Sequence, residues 1–303
     1  MNARILSETA VLYFMQVVNC GSISEAAARM HVVPSAVSRQ IRRLEEELDT
    51  LLFERQARGV TLTPAGELLA AYARRTLLDA VQVTNEIKAL NQVTESRIKI
   101  ACTQGFASHF LPVAIAGFRN AEPRCTFQLQ VAPAEEVTRR VRDGEVDVGF
   151  NFSLSVTRDI QVLYSQPAPL LALVAPDHPL LQLPQVTLQD FVGYSLALPS
   201  LNTTLRELLD IYCSRQGVSY HSVLESDNLE TLAEFAATGA GVAFGGELFV
   251  RHRLKSGLLK TLHVPELQEK DRSIEIQTRA NQQLSPMMIR FICYISEVIA
   301  ADK

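Results

Sequence analysis

Apolar positions Val11, Phe14, Met15 and Val18 recur at the spacing of one helix face across residues 6–19, and Cys20-Gly21 breaks the pattern. Ser22 or Ser24 then offers a cap to a second helix, running through Ala26, Ala27 and Ala28 to Met30. Alanines there let two helices approach closely. Val33-Pro34-Ser35 opens a third helix, because proline needs no N–H partner in a first turn, and Ile41, Leu44 and Leu48 supply its buried stripe. Ser35, Ser38, Arg39 and Arg42 share the opposite face. Leu51-Leu52-Phe53 forms an apolar plug, and residues 58–63 predict a tight turn between two short strands, a wing. Thr63-Pro64 starts a fourth helix, which the absence of further proline, and of glycine after Gly66, extends to about residue 91.

Along that helix Leu69, Thr76, Val83 and Leu90 fall seven apart, with Tyr72 and Ile87 on nearby positions. A long helix with one apolar stripe and no domain of its own to cover it calls for a partner helix, hence a homodimer; packing within the chain is the other reading. After the polar residues 91–96 the pattern turns to alternation of strand and helix. Strands are predicted at 97–101, 126–131, 146–150, 170–174, 196–198, 223–225, 241–244 and 272–278. Helices fit at 106–120, 134–142, 203–216, 228–238 and 286–299. Such alternation predicts two α/β lobes built on mostly parallel sheets.

At 303 residues the chain suits two or three domains, and 47% hydrophobic against 20% charged residues predicts packed units. The net charge of −4 does not announce a nucleic-acid partner, so placement of charge has to decide. Between Ala26 and Leu44 lie Arg29, Arg39, Arg42 and Arg43 with no carboxylate, and Glu45, Glu46, Glu47 and Asp49 follow at once. A basic helix face wants phosphate oxygens, and the acidic block restricts such a partner to one side, the footprint of a DNA-reading helix-turn-helix. Cys20, Cys102, Cys125, Cys213 and Cys293 are scattered without a CxxC or a zinc spacing, which suits reduced thiols in a cytoplasmic protein. Glu8 and Asn19 argue against a signal peptide, and no apolar run approaches the ~18 residues of a spanning helix, so no membrane is expected. There is no P-loop, GxSxG or HExxH, the six histidines form no triad, and the glycine run at 239–245 follows a helix where a dinucleotide fingerprint follows a strand. An enzyme is not expected.

The residues resemble the LysR-type transcriptional regulators. The pattern of small residues, a turn and P-S-A-V-S-R-x-I-x-x-L-E-x-x-L is met at Ala26-Ala27 and from Pro34 to Leu48, and its continuation at Leu52-Phe53-Glu54-Arg55 and Leu62-Thr63-Pro64-Ala65-Gly66. Asp177-His178-Pro179-Leu180, residues 186–191 and residues 236–246 are similar to the family's effector domain. The resemblance implies an all-α winged helix-turn-helix domain (1–63), a linker and dimerisation helix (64–93), and a two-lobed α/β, periplasmic-binding-protein-like effector domain (94–303). Lobe I would comprise 97–167 and 266–303, and lobe II 168–265. It also implies double-stranded operator DNA and a small-molecule inducer as partners, no cofactor, and a homodimer assembling into a homotetramer.

Residues follow for each partner. Pro34, Ser35, Ser38 and Arg39 are placed for the major groove; Arg42, Arg43 and Arg58 for phosphates; Arg55 for tying the wing to the helices. Arg43 can instead pair with the acids after it. Thr103-Gln104 and Ser200, Asn202 and Thr203 each follow a strand and start a helix, where unpaired N–H groups suit a carboxylate, although Ser200 to Thr204 also reads as a plain N-cap. By resemblance Phe150, Asn151 and Phe244 join them as lining of the interlobe cleft, a site that Cys102 adjoins in the chain. Neither loop carries an arginine or lysine, so hydroxyls, amides and backbone N–H groups would hold the anion. A redox sensor using Cys102 is one alternative, and a solute-binding protein is another that leaves residues 26–66 without a use. The family's peroxide sensors use two neighbouring cysteines in lobe II, where this chain has Cys213 alone.

Overall fold

The computed structural model describes residues 9–56, 59–91, 96–154, 157–201, 203–268 and 271–301. Its contacts fall into two units, Met1–Thr94 and Glu95–Lys303.

The first unit packs α1 (Thr9–Cys20), α2 (Ile23–Arg29) and α3 (Pro34–Leu48), followed by the strands β1 (Phe53–Arg55) and β2 (Val60–Leu62) and the helix α4 (Pro64–Asn91). Ser22, of the two candidate serines, caps α2, its hydroxyl accepting Glu25 N–H at 3.4 Å. Pro34 opens α3, and Asp49 ends it in the left-handed region. The core joins Phe14, Ala26, Ala27, Val37, Ile41, Leu44, Leu52 and Phe53, so the plug residues Leu52 and Phe53 close the helices from below. Three contacts tie the wing into this core. Glu45 accepts the N–H groups of Leu52 at 2.8 Å and Phe53 at 3.4 Å. Val60 donates to the carbonyl of Gly21 at 2.9 Å, an approach that only glycine permits at Gly59, whose φ is +91° and whose missing Cβ would strike that same carbonyl. Thr63 accepts Gly66 N–H at 3.0 Å to cap α4 and donates to Leu51 O at 2.7 Å.

The second unit holds two five-stranded sheets. In lobe I, β3 (Ser96–Cys102), β4 (Cys125–Val131), β5 (Val148–Ser153), β6 (Ile160–Pro167) and β12 (Ser273–Arg279) lie in the order β4-β3-β5-β12-β6. They pack with α5 (Gln104–Ala107), α6 (Phe110–Ala121) and α11 (Pro286–Ala301) around Phe106, Phe118, Phe150 and Phe291, while α7 (Ala134–Arg142) packs through Val137 and Val141 with Ala101 and Val146. In lobe II, β7 (Leu171–Val174), β8 (Leu196–Pro199), β9 (Ser222–Ser226), β10 (Val242–Gly245) and β11 (Lys260–Leu262) lie in the order β11-β7-β10-β8-β9. Helices α8 (Thr204–Arg215), α9 (Leu229–Ala237) and α10 (Glu247–Lys255) accompany them. Strands β8 and β10 are buried at every position, as central parallel strands covered on both faces must be.

Among the strands and α-helices, β6, α10 and β11 escaped the sequence pattern. Strand β6 lies at the sheet edge and shows no clean alternation of burial, while α10 follows β10 with consecutive Leu248, Phe249 and Val250 buried, which reads as continued strand. The sheets are also mixed where mostly parallel ones were expected. The chain returns from lobe II as β12, which pairs antiparallel with both β5 and β6, and β7 pairs antiparallel with β10 and β11. The helix expected over 106–120 is broken at Ser108-His109, where His109 leaves helical geometry (φ −140°, ψ −50°).

Candidate functional site

Two surfaces carry candidate chemistry, one in each unit. On α3, Val37, Ile41 and Leu44 face the core, which leaves Pro34, Ser35, Arg39, Arg42 and Arg43 exposed and Ser38 half-buried. Arg43 approaches Glu47 at 3.7 Å, the local pairing foreseen as its alternative, whereas no ion pair engages Arg39 or Arg42 among the described residues. Arg29 is held by Glu25 at 2.9 Å. Arg55 ends β1, and Arg58 lies outside the described residues. Glu45 bonds the plug backbone, so one of the acids that follow the basic run has a structural role.

In the second unit a cavity of about 330 Å³ opens between the lobes. Lobe I contributes Thr103, Gln104 and Gly105 beyond β3, Val131 at the end of β4 with residues 132–134 beyond it, and Phe152 of β5. Lobe II contributes Thr203, Thr204 and Leu205 at the start of α8, Asp227 and Leu229 beyond β9, and Gly246 and Phe249 beyond β10. These are the carboxyl ends of the parallel strands, the place where open α/β sheets bind ligands. Arg272, just before β12, completes the wall.

Arg272 is the charge that the sequence hid. It is 1% exposed, and its Nε donates to Ala168 O at 3.0 Å. Its guanidinium carbon lies 4.4 Å from the centroid of the Phe152 ring, and Nη2 has no hydrogen-bond partner. Burial pushes its pKa down to about 9, which leaves it charged at neutral pH. Gly246 makes room for it, since a Cβ there would sit 3.0 Å from Nη2. A buried cation lacking a full set of acceptors is costly, so an anion in the cavity would find a donor already desolvated and aimed. Arg206, at the start of α8, is different: Pro199 O, Asp210, Glu225 and Tyr220 engage it at 3.1–3.2 Å, so its charge is neutralised within lobe II.

The predicted cleft residues divide sharply. Thr103, Gln104 and Thr203 line the cavity. The Thr103 hydroxyl is buried without a partner, whereas that of Thr203 caps α8, accepting Arg206 N–H at 3.2 Å. The plain N-cap reading of this segment therefore describes Thr203, and Thr204, the last residue of the same segment, lines the wall beside it. Gln104 reaches across the cleft: Nε2 donates to Asn228 Oδ1 at 3.0 Å, and Oε1 accepts Leu229 N–H at 2.9 Å.

Cys102, Phe150, Asn151, Ser200 and Phe244 are not in the lining, for packing reasons. Phe150 and Phe244 turn into the cores of lobes I and II. Asn151 is buried against α7, donating to Ala134 O at 2.9 Å and Thr138 Oγ1 at 3.0 Å. Ser200 is half-buried, its N–H bonded to Ser226 O at 3.1 Å and its carbonyl to Thr203. Cys102 is fully buried, and burial raises its thiol to about 12, the reverse of what a reactive thiolate requires. Asn202 lies outside the described residues.

Comparison with known families decides the class. Residues 91–300 match the family model described as the LysR substrate binding domain, and residues 9–67 match the bacterial regulatory helix-turn-helix protein, lysR family. The chain belongs to the LysR family of transcriptional regulators. Among LysR-type relatives, a probable RuBisCO transcriptional regulator of Cyanidioschyzon merolae is 27% identical over 92% of this chain and 93% of its own. The structure of a full-length OxyR variant from Pseudomonas aeruginosa shares the fold at a TM-score of 0.64 and 23% identity, over 96% of this chain and 93% of that one. The Synechocystis PCC6803 CcmR regulatory domain in complex with 2-PG covers 67% of this chain and 97% of its own, at a TM-score of 0.58 and 20% identity. LysR regulators are not enzymes; they bind operator DNA and small-molecule effectors and oligomerise. The regulator described here has the same parts, a helix-turn-helix domain followed by a two-lobed α/β effector domain. No helix among its described residues is long and apolar enough to cross a membrane.

Proposed function

We propose that this LysR regulator binds a small carboxylate in the interlobe cavity and couples its occupancy to operator binding. The observation that carries the carboxylate is Arg272, buried in the cavity wall with Nη2 unpartnered. Thr103 and the first turn of α8 supply further donors, because the opening N–H groups of a helix have no acceptor within it. Pro34, Ser35, Ser38 and Arg39 enter the major groove, where Arg39 suits a bidentate contact with guanine, and Arg42, Arg43 and Arg58 meet phosphates. Arg55 ties the wing to the helices. Two chains pair through α4 and two dimers form the tetramer, in the cytoplasm. The effector acts by binding one lobe geometry better than another, which shifts the shape of the assembly on DNA.

The test is thermal unfolding of the full chain against small carboxylates and their neutral amides. A carboxylate at about 100 times its Kd stabilises the effector domain by roughly 2.7 kcal/mol, or roughly 5–10 °C. The matching amide gives no shift, and Arg272→Gln abolishes the response. Equal shifts from acids and amides overturn the proposal.

A further inference from the structure

The cavity wall carries two charged side chains, Arg272 and Asp227. Both lack an ionic partner among the described residues. Arg272 stands just before the return strand β12, beside lobe I, buried; Asp227 stands on lobe II in the turn between β9 and α9, exposed at the mouth of the cavity. The other lining groups are uncharged. Val131, Pro133, Phe152, Leu205, Leu229 and Phe249 make most of the wall apolar.

A plain carboxylate would satisfy Arg272 but bring a second negative charge towards Asp227. A ligand that carries an ammonium group beside its carboxylate answers both. Its carboxylate takes Nη2 of Arg272 and the unpartnered hydroxyl of Thr103, its ammonium takes Asp227, and its side chain fills the apolar wall. The volume of about 330 Å³ stands at the small end of ligand sites, too small for a dinucleotide and sufficient for one such molecule. From this arrangement we infer that the effector is a zwitterion, an α-amino acid with an aliphatic or aromatic side chain. The inference rests on the carboxylate reading of the same cavity and adds to it a requirement for the amino group, assigned to Asp227.

Isothermal titration calorimetry of the full chain tests it with two matched pairs: L-leucine against 4-methylpentanoate, and L-phenylalanine against 3-phenylpropanoate. Each pair differs only by the ammonium group. At least one amino acid binds the wild type at least tenfold more tightly than its des-amino partner. Asp227→Asn, an exposed substitution compatible with folding, reduces that preference to below about threefold without abolishing binding of the des-amino acid. Arg272→Gln abolishes binding of both members of the pair.

The outcomes separate the two proposals. Des-amino acids that bind the wild type as tightly as the amino acids overturn the zwitterion and leave the carboxylate reading standing. A preference that survives in Asp227→Asn overturns the role of Asp227, whose charge then serves only the N-terminus of α9. No binding by any of the four at millimolar concentration overturns the amino-acid inference, while the acid-versus-amide comparison still decides the carboxylate.

Discussion

Gln104 of lobe I and Asn228 of lobe II are joined across the cleft: the Gln104 amide donates to Asn228 Oδ1 at 3.0 Å and accepts the neighbouring Leu229 N–H at 2.9 Å. Asn228 is at the same time the N-cap of α9, its Oδ1 accepting Glu230 N–H at 2.9 Å. One side chain from lobe I thus completes the N-terminus of a helix in lobe II. Gln104→Ala removes two hydrogen bonds worth about 0.5–1.5 kcal/mol each. Calorimetry of the full chain is expected to show the effector-domain transition falling by roughly 2–12 °C, and an unchanged transition would mean that the lobes do not depend on this bridge.

On α3 the exposed Arg39 and Arg42 have separable roles. Arg39→Ala is expected to cost about 1–3 kcal/mol of operator affinity and relax sequence preference, as does loss of a base contact. Arg42→Ala weakens binding to all sequences alike and lowers the salt slope by about 1. Fluorescence anisotropy across a salt series distinguishes them, and unfolding curves matching wild type show that the core under Val37, Ile41 and Leu44 is intact.

His109, in the turn before α6, stacks on His252 of α10 with ring centroids 4.1 Å apart and planes 20° apart, a second contact from lobe I to lobe II. Burial, His109 and Arg253 lower the His252 pKa below its ordinary 6.5, against an opposing pull from Glu230, which is paired with Arg253. Glu247 and Arg251 pair with each other on the same helix. A histidine lowered in the folded state contributes its full stability above the unfolded value and loses it as protons are taken up below. The melting temperature of the wild type is therefore expected to fall between about pH 7 and pH 5, and His252→Gln to flatten part of that slope. Parallel slopes in the two proteins would exclude His252 as the titrating group.

The thiols give a chemical readout. Cys293 is exposed and Cys20 half-buried, whereas Cys102, Cys125 and Cys213 are buried, and burial raises Cys102 to about 12 and Cys213, with help from Asp210 and Glu266, to about 11. Alkylation with iodoacetamide followed by peptide mass spectrometry is expected to mark Cys293 first and Cys102 only after unfolding. Rapid native labelling of Cys102 would revive a thiol sensor.

The helices of the first unit were legible because local signals agree there: a serine cap, a proline at the first turn and a stripe at Ile41 and Leu44. In the second unit the parallel strands were legible and their antiparallel partners less so, because an edge strand such as β6 has no alternation to betray it. The cleft was found through Thr103, Gln104 and Thr203, which follow strands in the chain. Phe150 and Phe244 were named through the resemblance, yet both lie within their strands and pack into the cores, while the lining comes from Phe152 and Gly246, two residues further along. Arg272 was invisible as a site residue because it precedes a strand and reaches the cleft only through the crossing of the chain back from lobe II. In the chain it is the last of four consecutive charged residues, Glu269-Lys270-Asp271-Arg272, and so reads as part of a solvated loop.

Ala168 and Arg272 exchange two hydrogen bonds where the chain leaves lobe I and where it returns: Ala168 N–H to Arg272 O at 2.8 Å, and Arg272 Nε to Ala168 O at 3.0 Å. The guanidinium is thus fastened at the crossing between the lobes while it stacks on Phe152 of lobe I. A ligand held by Nη2 would therefore bear on the crossing itself, where residues 168 and 272 join the two lobes.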